Sequence, residues 1–186
     1  ETYQKILNEA IEELKETEFK DLYKEDSHDK EYVKDVTIDS DFELLFPDDY
    51  VNNITERLNL YTQLNNIKTE EELKIFESQL TDRFGELPTQ VVDLLNSVRI
   101  KWIASKIGFE KVVMKHGKLV GYFISDQQSN FYQSKWFTKV LQFVQTNPNI
   151  CKMKETQTRN GLRLLLTFES IKSVKQALTK LEPIVA

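Results

Sequence analysis

Gly108-Phe109-Glu110-Lys111-Val112-Val113-Met114-Lys115-His116-Gly117-Lys118 decides how this chain folds, because the hydrophobic period changes across it. Upstream, Val91, Leu94, Leu95, Val98, Trp102 and Ile103 recur at helical spacing and carry a helix to Gly108. Downstream, residues 111–115 and 118–125 read as two strands, with His116-Gly117 as the turn of a β-hairpin. A helical half therefore meets a sheet-forming half at Gly108.

Working toward the C-terminus, residues 131–145 return to helical spacing, with Ser134 as an internal cap. Residues 150–156 and 162–168 form a second hairpin about Asn160-Gly161, and Ser170 caps a last helix bearing Ile171, Val174, Leu178 and Leu181. Residues 109–186 thus read ββαββα, an α+β layer with helices on one face of a sheet. Working toward the N-terminus, three helices precede Gly108. The first carries Ile54, Leu58, Tyr61 and Leu64 as one stripe. The second opens on the capping-box pair Thr69 and Glu72, carries Leu73, Phe76, Leu80 and Phe84, and stops at Gly85. Pro88 opens the third. Residues 33–38 and 42–44 alternate like short strands, and Pro47-Asp48-Asp49 ends them and offers a helix cap. Tyr3, Ile6, Leu7, Ala10, Ile11 and Leu14 give residues 1–18 a helical stripe that reads as the continuation of an upstream helix. Residues 19–32 are a polar, acidic connector. The expected domain is 33–186, mainly helical over 33–108 and α+β over 109–186.

The 186 residues are 40% apolar and 30% charged, enough for one core, and the longest apolar runs span a few residues where a membrane helix needs roughly 20. Charge divides unevenly. Residues 1–50 hold 17 acidic and 6 basic side chains, leaving 13 and 19 for residues 51–186. Such asymmetry gives the two parts different surroundings. The single cysteine, Cys151, excludes an internal disulfide and a four-cysteine zinc site, and its strand position makes it a core thiol.

Catalytic constellations are hard to find. The five glycines build neither a phosphate loop nor a dinucleotide fingerprint. Of the two histidines, His28 falls in the acidic connector and His116 at a turn, and neither suits a nucleophilic relay. Asp48-Asp49 reads as a helix cap with a favourable dipole contact rather than a metal site. No catalytic, metal or cofactor residue is expected in this chain. Residues 109–186 hold 12 Lys and Arg against 5 Asp and Glu, with Tyr122, Phe123, Tyr132 and Trp136 among them. A nucleic-acid-binding module is therefore the alternative to a protein-docking one. On the second helix, Ile75 falls away from the Leu73–Phe76–Leu80–Phe84 stripe and is framed by Gln79 and Asp82. An apolar residue framed by polar ones on an outer flank suits a docking patch.

Leu45-Phe46-Pro47-Asp48-Asp49-Tyr50, Arg57-Leu58-Asn59-Leu60-Tyr61, Glu71-Glu72-Leu73 and Leu80-Thr81-Asp82-Arg83-Phe84-Gly85-Glu86-Leu87-Pro88 follow one another in this order. Together they resemble the C-terminal domain of the bacterial transcription-repair coupling factor (Mfd) family over residues 44–108. The resemblance implies a cytoplasmic protein whose full length is an ATP-dependent DNA translocase, with ATP and magnesium held by an upstream motor. Its implied partners are stalled RNA polymerase, the excision-repair protein UvrA and double-stranded DNA, with no membrane. It further implies that this domain is a non-catalytic, autoinhibitory clamp that docks on an N-terminal UvrB-like module of the same chain and covers the UvrA-binding surface. In the family the clamp uses acidic side chains of the helix ending in Asp-Arg-Phe-Gly, meeting arginines of the module. Carried onto this chain, Asp82 matches one such position. Gln79 stands where the family can have Glu, keeping an acceptor and losing a charge. Asp82, Gln79, Ile75 and Arg83 are the candidate partner-binding residues.

Overall fold

At Gly108 the backbone takes φ +98°, a left-handed helix terminus, and its N–H closes on the Ala104 carbonyl at 3.0 Å. A Cβ there would come within 2.2 Å of the Phe131 ring, so both conformation and packing demand glycine. The computed structural model describes residues 32–159 and 161–186. The helix and connector expected over residues 1–32 lie outside the described residues, save Tyr32.

Residues 33–186 form one unit. In chain order its elements are β1 (Thr37–Ser40), α1 (Ile54–Asn66), α2 (Glu70–Phe84), α3 (Thr89–Ile107), β2 (Phe109–Lys115), β3 (Lys118–Phe123), a 3-10 turn (Asn130–Gln133), α4 (Lys135–Thr146), β4 (Cys151–Thr158), β5 (Gly161–Phe168) and α5 (Val174–Val185). The mixed α+β class and the ββαββα order of residues 109–186 agree with the sequence. The sheet adds a strand to them. Its order is β1-β2-β3-β5-β4, with β1 parallel to β2 and the other pairs antiparallel. The three helices are therefore the crossover connection between two parallel neighbours, which need a long link.

His116 and Gly117, with φ of 56° and 73°, make the tight turn of the first hairpin. Ser134 splits the fourth helical region as expected, its hydroxyl accepting the Phe137 N–H. Phe109, Val112, Met114, Leu119, Phe123, Leu166 and Phe168 are buried on one sheet face. Val174, Ala177, Leu178 and Leu181 of α5 are buried with them. α3 spans both halves: Val91 and Leu95 belong to the helical core, whereas Ile100, Ala104 and Ile107 are buried further along it.

Five local expectations are corrected. Residues 42–44 are not a strand, because Asp41 makes the last ladder bond, to the Met114 carbonyl, and the Ser40 hydroxyl then captures the Phe42 N–H at 2.9 Å. Asp48 and Asp49 do not cap α1. They lie in a turn closed on the Pro47 carbonyl, and Asn53 caps the helix by accepting from Glu56 N–H. Ser170 has φ +60°, outside the extended conformation of an N-cap; Ser173 is extended and accepts the Gln176 N–H at 3.1 Å. The second hairpin closes with Thr158 opposite Gly161, a residue earlier than expected. On α1 the core stripe is Leu60 and Leu64, while Ile54 and Leu58 are exposed.

Candidate protein-docking face

The Asp-Arg-Phe-Gly motif ends α2, and the helix is pinned from inside. Leu73, Phe76 and Leu80 are buried on one side. Thr69 caps the first turn through Glu72 N–H at 3.2 Å. At the other end the Tyr50 hydroxyl donates to the Gly85 carbonyl at 2.8 Å, with the Leu80 carbonyl at 3.2 Å, and so ties the segment before α1 to the helix terminus. Burial pushes the Tyr50 phenol up, so it stays a donor at neutral pH. Arg99 of α3 grips Glu70 with two nitrogens, at 2.7 and 3.0 Å, and this hydrogen bonding holds the Glu70 carboxyl below the usual range.

With one flank so fixed, the opposite flank faces outward. Ile75 is 59% exposed, and Gln79 and Asp82 are exposed with it. Residues at i, i+4 and i+7 share a helix face, so the three make one strip. The structure thus brings together three of the four candidate residues. Arg83 points elsewhere: it pairs with Glu56 of α1, and its guanidinium lies 4.8 Å from the Phe84 ring centroid. Sequence reasoning passed over Glu71, which is exposed and four residues before Ile75 on the same strip. The helical wheel that found Ile75 contained that signal. Ile54 and Leu58 of α1, 65% and 61% exposed, were missed because spacing alone counted them toward the core.

The rest of the unit offers little to reaction chemistry. Among the described residues there is no group of three or more His, Cys, Asp or Glu fit to hold a metal. Cys151 is buried, which raises its thiol pKa and keeps it protonated. His116 is exposed at its turn, where its backbone N–H donates to the Asp41 carboxylate at 3.1 Å. His28 lies outside the described residues. A cleft of about 270 Å³ is lined by Gln127, Tyr132, Glu155, Leu162, Arg163 and Leu164. Three of its polar side chains, Gln127, Tyr132 and Arg163, are held by hydrogen bonds to backbone carbonyls. Arg163 donates to the Phe123 carbonyl at 3.2 Å, and Tyr132 donates to the Ile124 carbonyl, its phenol pushed up to about 12 by burial first and Glu110 second. No helix among the described residues is long and apolar enough to cross a membrane.

Fold and site together define a mixed α+β domain in which a three-helix unit is inserted between two parallel strands. Residues 40–134, just over half of the chain, match the TRCF domain family, and the chain belongs to that family. Over 185 residues it is 29% identical to the transcription-repair-coupling factor of Rickettsia conorii, covering 99% of this chain and 15% of that protein. To the same factor of Escherichia coli K12 it is 34% identical over 98 residues, covering 53% of this chain and 8% of that protein. A crystal structure of the C-terminal domain of transcription-repair coupling factor shares the fold, with a TM-score of 0.60 at 18% identity over 81% of this chain and 92% of that one. The chain is thus similar to one part of transcription-repair-coupling factor and spans only a small part of those relatives' length.

Proposed function

We propose that this domain is an autoinhibitory latch, docking through the outer strip of α2 on an N-terminal UvrB-like module of the same protein and covering its UvrA-binding surface. The observation that carries this reading is the exposure of Ile75 at 59%, between Gln79 and Asp82, on a helix whose other side is rigidly held. An exposed apolar anchor on a fixed element, ringed by polar groups, is the arrangement of an interface core and rim. The charge also fits a basic partner. Asp82 can take an arginine, and Glu71, about 16 Å away along the helix, supplies a second carboxylate where Gln79 does not. The protein as a whole would be an ATP-dependent DNA translocase that engages stalled RNA polymerase, its ATP and magnesium held upstream.

Such a latch is a two-state equilibrium, closed with the UvrA surface covered and open with it free. The direct test mixes this chain with the isolated UvrB-like module and measures association by calorimetry at low and moderate salt. Asp82→Ala and Ile75→Ala should each weaken the complex, by about 2–5 kcal/mol if the contact is fully desolvated and by less than about 1 kcal/mol at the rim. In the full-length protein Asp82→Ala should raise both UvrA affinity and basal ATP hydrolysis. If association is absent, or both full-length readouts stay unchanged, the latch is wrong.

A further inference from the structure

The five-stranded sheet has two unlike faces. One is sealed by helices. On the other, the register sets Lys111, Tyr122, Leu165 and Lys154 in a row across β2, β3, β5 and β4. Neighbours in that row are one strand spacing apart, about 4.8 Å. The adjacent row is Val113, Val120, Thr167 and Lys152. None of these side chains is buried, and Lys152 and Lys154 are exposed.

Charge on this face is unbalanced. Lys115 pairs with Asp39 at 3.0 Å, Lys118 with Glu169 at 3.6 Å and Arg163 with Glu110 at 3.5 Å. Those three carboxylates leave Lys111, Lys152 and Lys154 without an ion pair among the described residues. Between these ammonium groups lies a partly buried floor of Val113, Val120, Leu165 and the Tyr122 ring. Two cations approach that ring: the Arg163 guanidinium at 5.3 Å and the Lys111 ammonium at 5.8 Å. Arg163 is anchored by the Phe123 carbonyl and Glu110. Lys111 is not, and it stands near the outer limit of a cation–π contact, about 6 Å.

We infer that this open face binds single-stranded nucleic acid. Phosphates engage Lys111, Lys152 and Lys154, and a base lies against Tyr122, taking the ring face that Lys111 vacates as it turns to a phosphate. A single strand offers both partners at once, anions for the lysines and flat π surfaces for the ring and the apolar floor. An acidic peptide satisfies only the lysines, and a duplex keeps its bases stacked away from Tyr122.

The test is fluorescence anisotropy on the whole 186-residue chain with a labelled mixed-sequence single strand, a duplex of equal length and polyglutamate as competitor. Three neutralised phosphates predict a slope of about −2 in log K against log salt for the single strand. Lys111→Glu with Lys154→Glu should weaken binding at least about tenfold at low salt. Tyr122→Ala should cost the single strand about tenfold while leaving the duplex unaffected. Lys135→Glu with Lys139→Glu, on α4 beside Trp136, should change nothing. Circular dichroism checks folding, and should Tyr122→Ala fail it, Tyr122→Leu removes the π face while keeping bulk. The inference is overturned by no binding at low salt, by duplex or polyglutamate matching the single strand, by an equal loss from the α4 pair, or by full affinity in Tyr122→Leu.

Discussion

The helical half and the sheet half of this domain are held together by different means. Strands specify their neighbours through the backbone ladder, so the sheet needs only a well-filled inner face. There Phe109 and Phe123 meet edge-on at 4.9 Å, and Phe131 and Phe137 lie 6.2 and 6.0 Å from Phe123. Helices have no ladder between them, and side chains must supply the seams. Phe46 N–H donates to the Tyr61 hydroxyl at 2.9 Å, Arg57 to the Val51 carbonyl at 2.6 Å, Tyr50 to the carbonyl of Gly85, the cap of α2, and Arg99 to Glu70. In both halves the fastening is internal, which frees an outer surface: the α2 strip in one and the open sheet face in the other.

The comparison can be broken most forcefully at the aromatic cluster. Phe123→Ala should cost about 3–5 kcal/mol. Because α3 enters both cores, a thermal melt should shift as one transition; a split into two would show that the halves unfold separately. Leu80→Ala, in the helical core, should cost about 3 kcal/mol and lower hydrogen-exchange protection in β2 as well as α2. Arg99→Gln is gentler, about 1–2 kcal/mol by denaturant titration near neutral pH. It removes a bidentate pair to a part-exposed Glu70 and a 2.8 Å bond to the side-chain Oδ1 of Asn96, a residue 7% exposed. Since Arg99 depresses the Glu70 pKa, that contribution is present above the ordinary glutamate range and fades as pH falls through the folded-state value. The variant and parent should therefore converge in acid, and a constant gap would assign the loss to packing. Smallest of all, Ile75→Ala and Asp82→Ala should change the melting free energy by less than about 0.5 kcal/mol, since both side chains are exposed. A larger loss would make the strip structural.

Most of the fold was legible where backbone signals were unambiguous: the period switch at Gly108, the His116-Gly117 turn, the Thr69 and Ser134 caps and the three-helix order. What was not legible depended on long-range pairing. Nothing in Thr37-Ile38-Asp39-Ser40 announces a parallel partner 74 residues on, at Lys111 to Met114. Caps were misassigned where two polar residues competed within a few positions, as Ser170 did with Ser173 and Asp48-Asp49 with Asn53, because only φ decides between them. The α1 stripe failed because Tyr61 sits between the true core residue Leu64 and the exposed Leu58, and spacing does not reveal which side Phe46 covers. At the candidate site the wheel found Ile75, Gln79 and Asp82 correctly outward, yet the ion pair that turns Arg83 toward Glu56 crosses two helices and leaves no trace in either one's spacing.

The insertion of three helices between β1 and β2 has a mechanical consequence. Chain leaves the sheet at the C-terminal end of β1 and returns at the N-terminal end of β2, and in a parallel pair those points lie at opposite ends of the two strands. Tension applied through α2 would therefore be delivered as shear along the β1–β2 seam. Its hydrogen bonds would bear the load together instead of opening one after another like a zip.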